Sequence, residues 1–188
     1  DRALVALLKA LFETPPLARC AMLAVSAGGL YRWGQLRRAE APDKVYRNEA
    51  IMFLGVVATA GAVSQLGLAL HTGSGHFSLL LLLSFVVYAV LGLLLQSNLI
   101  WIFAVASLGS WMGTETGYMS GWGAYYLGMN YPLRFVLFGA LLTGAALAWE
   151  NHPLGAHFYR STLVMGLLYL FIALWIMSIF GNYGDLHA

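Results

Sequence analysis

The chain has 188 residues, of which 60% are hydrophobic and only 10% are charged, and its mean hydropathy is +0.74. Soluble domains carry about 25% charged residues, so this composition excludes a soluble globular domain and a disordered chain. A single cysteine, Cys20, excludes a disulfide scaffold. Because the apolar runs are continuous, they predict an all-α, polytopic transmembrane helical bundle rather than a barrel.

The first segment predicts a helix too short to cross a membrane. Ala3 to Phe12 is apolar except for Lys9, and the pair Pro15-Pro16 ends it. Ten residues cover about 15 Å as a helix, half of a bilayer core. Because the chain opens on Asp1 rather than methionine, we expect one or more helices before it, with a short interfacial helix as the alternative.

Six later stretches approach the roughly 20 apolar residues that a transmembrane helix needs. The first of them contains Arg19, so it spans only if Arg19 and Arg32 extend to opposite interfaces. We expect one membrane-embedded domain over residues 1–188, with spans at residues 17–31, 48–70, 77–96, 98–113, 132–149 and 162–180.

Half of the ten basic residues lie between the first two spans, in segment 32–47. They are Arg32, Arg37, Arg38, Lys44 and Arg47. The positive-inside rule therefore predicts that this segment is cytoplasmic. Because Glu40 and Asp43 interrupt the charges, the pattern is typical of a topology signal beside lipid headgroups, and we expect no nucleic-acid partner.

Three segments carry a pattern of a known family: Phe12–Arg19, Tyr31–Gly34 and Asn48–Gly75. They resemble the uncharacterised bacterial multi-pass membrane proteins catalogued as domain of unknown function 2157. The residues at matching places are Glu13, Gly61, Gln65, His71 and Gly75. The resemblance covers about Phe12 to Met112. It implies a bacterial inner-membrane protein with a further helix before Phe12, and it implies no activity.

Small residues recur every four positions in two places, a spacing at which two membrane helices can approach closely. The candidate helix-packing residues are Gly109, Gly113, Ala140 and Gly144, with Gly117, Gly121 and Ala148 in the same series. Glycine disfavours an isolated helix by about 1 kcal/mol, so we expect the span to end near Gly113 and a glycine-rich external loop to follow. The alternative is a longer helix with a glycine stripe.

The external loop 114–131 is rich in tyrosine and tryptophan. Such rings gather at the headgroup boundary, so the simplest interpretation is an interfacial belt or a short surface helix. The alternative is an aromatic pocket for a small ligand or a partner, with Glu115, Trp122, Tyr125 and Arg134 as its contact residues.

Polar residues inside the predicted spans are few and none is ionisable near mid-membrane, and Gln65 is the candidate among them. The histidine pairs His71/His76 and His152/His157 are five residues apart and fall in predicted turns, which argues against haem. The sequence predicts no catalytic residue, no metal site and no cofactor, and an enzyme is the least favoured class.

The leading hypothesis is a structural or assembly component of the membrane, with the lipid bilayer and either further copies or another membrane protein as partners. The alternative is a small-solute transporter or channel that is entered through the aromatic loop. A third possibility is a haem-binding membrane protein.

Overall fold

The computed structural model describes residues 14–70, 77–123, 125–152 and 155–181, and 83% of these residues are helical. This confirms the all-α class. The elements are α1 (Pro16–Glu40), α2 (Val45–Leu70), α3 (Ser78–Leu95), α4 (Asn98–Met119), β1 (Tyr125–Tyr126), β2 (Met129–Asn130), α5 (Tyr131–Trp149) and α6 (Tyr159–Phe180). The predicted helix at residues 3–12 lies outside the described residues.

Four of the helices, α2, α3, α5 and α6, are long and apolar enough to cross a membrane. The chain is therefore a helical membrane protein. The helices α1 and α4, which cover two of the six predicted spans, are not among these four. Five charged residues lie along α1, and the second half of α4 is rich in serine, threonine and glycine.

The predicted cytoplasmic loop 32–47 is shorter than expected, because α1 continues to Glu40 and only residues 41–44 separate it from α2. Arginine, leucine and glutamine favour helix, and basic side chains stabilise a helix C-terminus. Arg37 and Arg38 lie in this last turn, and Arg38 forms an ion pair with Glu49 of α2.

The span predicted to end near Gly113 is also longer, because α4 continues to Met119. The prediction failed there because helix propensity is local, whereas aromatic side chains from elsewhere pack on the glycines. A Cβ atom at Gly113 would lie 2.9 Å from the ring of Phe135, and one at Gly117 would lie 2.6 Å from the Tyr131 hydroxyl. Segment 114–131, which was predicted to be an external loop, thus begins with helix and continues into a short hairpin.

The chain divides into two compact units, residues 1–84 and 85–188, with the boundary inside α3. In the first unit, α1 packs against α2 through small residues. The Tyr31 ring covers Gly55, and Met52 covers Gly34. The Tyr31 hydroxyl shares a hydrogen bond of 3.0 Å with the Thr59 hydroxyl, so the buried polar groups of this contact satisfy each other.

In the second unit, α5 packs against α6 with almost no side chain between the two backbones. A Cβ atom at Gly139 would lie 2.5 Å from the backbone nitrogen of Leu170 and 2.8 Å from the carbonyl oxygen of Gly166. One at Gly166 would lie 2.8 Å from the backbone nitrogen of Thr143. The core of this unit contains Trp101, Val105 and Phe158.

Alanine should have different effects at Gly139 and Gly144, although both lie in the middle of α5. At Gly139 the added methyl group meets backbone atoms that cannot move aside, so we expect a loss of about 1–3 kcal/mol of stability. At Gly144 the described residues place no atom from outside this helix segment within 4 Å of the added methyl group, so alanine should change stability little or raise it by up to about 1 kcal/mol. Unfolding in detergent followed by circular dichroism measures both, and equal losses would contradict the packing.

Candidate functional site

The aromatic segment after α4 begins with a tight C-terminal cap. Gly121 adopts a φ of +58°, and its N–H donates to the Tyr118 carbonyl at 2.9 Å. The Trp122 N–H donates to the Gly117 carbonyl at 2.7 Å. These two bonds form a Schellman motif, which satisfies carbonyls at the end of the helix. They also place the Trp122 ring against Gly117 and edge-on to Tyr118, with ring centroids 5.0 Å apart.

A two-stranded hairpin follows, in which Tyr125 pairs with Asn130 and Tyr126 with Met129. The two turn residues, Leu127 and Gly128, have φ values of +53° and +73°. Positive φ at both central positions matches the right-handed twist of a tight hairpin. The helix α5 begins at Tyr131, the residue that follows the hairpin.

Arg134 lies at the centre of this region and is only 4% exposed. Its Nε donates to the Met129 carbonyl at 3.1 Å, and one terminal nitrogen donates to the Thr116 carbonyl at 3.3 Å. The guanidinium carbon lies 4.4 Å from the ring centroid of Tyr131 and 5.5 Å from that of Tyr126. We call Arg134, these two rings and these two carbonyls the Arg134 cluster.

The Arg134 cluster joins three elements through one buried cation. Met129 belongs to the hairpin, Thr116 to α4 and Arg134 to the first turns of α5. Carbonyl dipoles and aromatic faces both stabilise a guanidinium that has lost its water. Asn130 adds a fourth connection, because its amide accepts from the Leu133 N–H at the start of α5 and donates to the Gly181 carbonyl after α6.

The predicted contact residues occupy different positions around this cluster. Glu115 is half-buried on α4. The residue after it, Thr116, provides the carbonyl that accepts a hydrogen bond from Arg134. Tyr125 is half-buried in the hairpin, and Trp122 is 59% exposed. Arg134 joins the hairpin to α4 and α5. Ligand contact by the four residues stays a prediction.

An apolar cavity of about 470 Å³ lies beside the cluster, between the start of α5 and the second half of α6. Tyr131, Phe135, Tyr169 and Ile172 are among its lining residues. The Phe135 and Tyr169 rings stack with centroids 5.8 Å apart and form one wall. Sequence reasoning did not find this cavity, because its residues come from two helices and none is polar enough to stand out.

The four predicted helix-packing residues fall into two groups. Gly109 is buried against the Tyr169 ring and Gly113 lies against Phe135, so both pack within the chain. Ala140 and Gly144 are exposed, and among the residues that the structure describes no neighbouring helix comes within 4 Å of a Cβ built at Gly144. The small residues of α5 therefore point both inward and outward.

The inward packing residues of α5 and α6 were missed by the sequence prediction. They are Gly139, Thr143 and Gly166. The Thr143 hydroxyl lies against Gly166 and donates to the Gly139 carbonyl at 2.8 Å, so this polar group is satisfied within the helix contact. The sequence signal on α5 is the series Gly139, Thr143, Ala146, which has helical spacing and begins one residue before the predicted packing residues Ala140 and Gly144.

Gln65 lies on α2 in the other unit, and its carbonyl oxygen is buried without a hydrogen-bond partner among the described residues. His152 and His157 are exposed, and His157 shares hydrogen bonds with the Gln96 carbonyl and the Asn98 amide. His71 and His76 lie outside the described residues. Within those residues, no group of three His, Cys, Asp or Glu side chains could hold a metal ion.

Comparisons with protein-family models, curated proteins and solved structures gave no match to this chain.

Replacing Arg134 with lysine should loosen the hairpin although the charge is kept. A lysine amine cannot lie flat on Tyr131 and reach two separate carbonyls, so at least one buried acceptor loses its donor, at a cost of about 1–3 kcal/mol. We expect faster amide hydrogen exchange in residues 125–130. Arg160→Lys, at an exposed arginine of α6, is the matched control. Equal exchange rates in both variants would contradict the role of the Arg134 cluster in holding the hairpin.

Proposed function

We propose that this chain is a structural or assembly component of the bacterial inner membrane, and that the exposed face of α5 binds a helix of another copy or of a membrane-protein partner. The observation that carries this proposal is the open space at Gly144, with Ala140 and Ala148 exposed one turn away on either side. We also propose that the chain belongs to the domain of unknown function 2157 family. Segment 32–47 is proposed to lie on the cytoplasmic side of the membrane.

Membrane physics explains why such a face is suited to helix association. Lipid tails are as apolar as leucine, so helices gain no hydrophobic free energy by leaving them. Small residues instead allow two backbones to approach, which increases dispersion contacts and weak polar contacts. The series Ala140, Gly144, Ala148 drifts by only about 40° per step around the helix, so it forms one narrow groove.

The opposite face of α5 supports the same interpretation. Gly139 and Gly166 already use close helix contact inside the chain, and Ala146 is fully buried. A helix fixed on one side by α6 presents its outer groove in a defined orientation. The N-terminus of α5 is held as well, because Asn130 caps it and Arg134 ties it to α4. A partner helix would thus bind a preorganised surface.

Large side chains on this groove should prevent assembly without unfolding the chain. Gly144→Leu fills the groove, so the mass of the complex in mild detergent should fall to that of one chain, or a co-purifying partner should be lost. Light scattering coupled to gel filtration measures this. The thermal stability of the variant should stay close to that of the unmodified protein, because no other helix in the described part of the chain comes within 4 Å of a Cβ at this site.

Ala60→Leu is the matched control, since it adds a bulky side chain at an exposed small residue of another spanning helix, α2. It should leave the assembly unchanged. A complex of unchanged mass and composition in Gly144→Leu, or an unmodified protein that purifies as a single chain without a partner, would refute the proposal.

A further inference from the structure

A second cavity, of about 230 Å³, lies in the unit 85–188 at the ends of α3 and α5. Its lining residues are Leu93, Trp101, Trp149, His152, Gly155 and Phe158. The Trp101 ring stacks on Phe158 with centroids 4.6 Å apart and lies tilted to Trp149 at 6.4 Å. Three aromatic rings in contact thus form a continuous wall.

Hydrogen bonds hold this wall in place. The Trp101 indole N–H donates to the Thr162 hydroxyl at 2.8 Å, and that hydroxyl donates to the Phe158 carbonyl. The Ser161 hydroxyl donates to the Asn98 side-chain oxygen at 2.6 Å, which ties the start of α6 to the start of α4. Gly155 packs tightly on Trp149, where a Cβ would lie 2.6 Å from the Trp149 Cβ. The cavity is therefore preformed, as small-molecule sites usually are.

The composition of the lining selects the chemistry of a ligand. Among these described lining residues there is no carboxylate to balance a cation and no lysine or arginine to balance an anion. Among the described lining residues, the imidazole of His152 is the one side chain that can either donate or accept a hydrogen bond at neutral pH. Flat aromatic walls with one such group favour a neutral planar ring that carries a hydrogen-bonding atom at its edge.

The size and position of the cavity further limit the class of ligand that it can bind. Cavities that enclose whole drug-sized ligands measure about 300–1,000 Å³, so this one holds a single ring system. Its rim includes Leu93 and Trp149, which are 46% and 43% exposed and belong to membrane-spanning helices. A molecule dissolved in the bilayer could therefore insert its ring while a long apolar substituent stays among the lipids.

We propose that this cavity binds the headgroup of a membrane-soluble quinone, with the ring against Trp101 and Trp149 and a ring carbonyl accepting a hydrogen bond from His152. The proposal concerns binding alone and is independent of the assembly face on α5. It explains a preformed, uncharged and aromatic cavity at the end of spanning helices.

The test uses menadione, a naphthoquinone without a tail, titrated calorimetrically into the purified chain in maltoside detergent, with empty micelles subtracted. The unmodified protein should bind menadione saturably. Leu93→Trp fills the cavity and should weaken binding at least about tenfold. Leu94→Trp makes the same change at the next residue, which is 73% exposed and does not line the cavity, so it should bind as the unmodified protein does.

His152→Ala provides a second test at an exposed residue, so it keeps the proposal testable even if Leu93→Trp does not fold. It should lower the affinity for menadione about fivefold, because one hydrogen bond is lost. The affinity for 2-methylnaphthalene, which has no carbonyl group, should not change. Menadione heats that do not exceed those of empty micelles would overturn the proposal. So would equal affinity in Leu93→Trp and Leu94→Trp, or saturable binding of tetramethylammonium in place of menadione.

Discussion

The contact of α5 with α6 at Gly139 and Gly166 determines which faces of these helices are available. The two backbones come so close that a Cβ at either glycine would meet backbone atoms at 2.5–2.8 Å. In a bilayer such contact replaces the hydrophobic driving force that assembles soluble helices. Since one side of α5 is committed to α6, Ala140 and Gly144 must face away from it, and the assembly hypothesis follows from this orientation.

The polar end of the same unit is organised around a buried charge. Arg134 would be costly to bury alone, because a guanidinium loses its hydration. Two backbone carbonyls and two tyrosine faces replace that hydration, and in doing so they join α4, the hairpin and α5. The aromatic segment is thus a folded cap in its described residues. It fixes the direction in which α5 leaves the cap, on which the proposed partner surface depends.

The helical class and the approximate positions of the spans could be predicted from sequence, because a helix that crosses lipid needs a continuous run of about 20 apolar residues. The end of α4 could not, because Phe135 and Tyr131 stabilise the glycines of α4 from more than ten residues away. The side of α5 that packs on α6 could not be predicted either. Gly139 and Thr143 on one face and Ala140 and Gly144 on the next are all small and are offset by one residue, a rotation of about 100°. Arg134 was found through its charge, but its carbonyl partners carry no sequence signal.

Cysteine scanning of α5 in a Cys20→Ser background tests the central claim, that this helix has one face within the chain and one face between molecules. Single cysteines at positions 139 to 148 would be oxidised in native membranes and cross-linked dimers quantified on gels. If the partner is a second copy, cross-linking should peak at 140, 144 and 148 and be minimal at 139, 143 and 146. Peaks at 139, 143 and 146, or uniform cross-linking along the helix, would contradict the account.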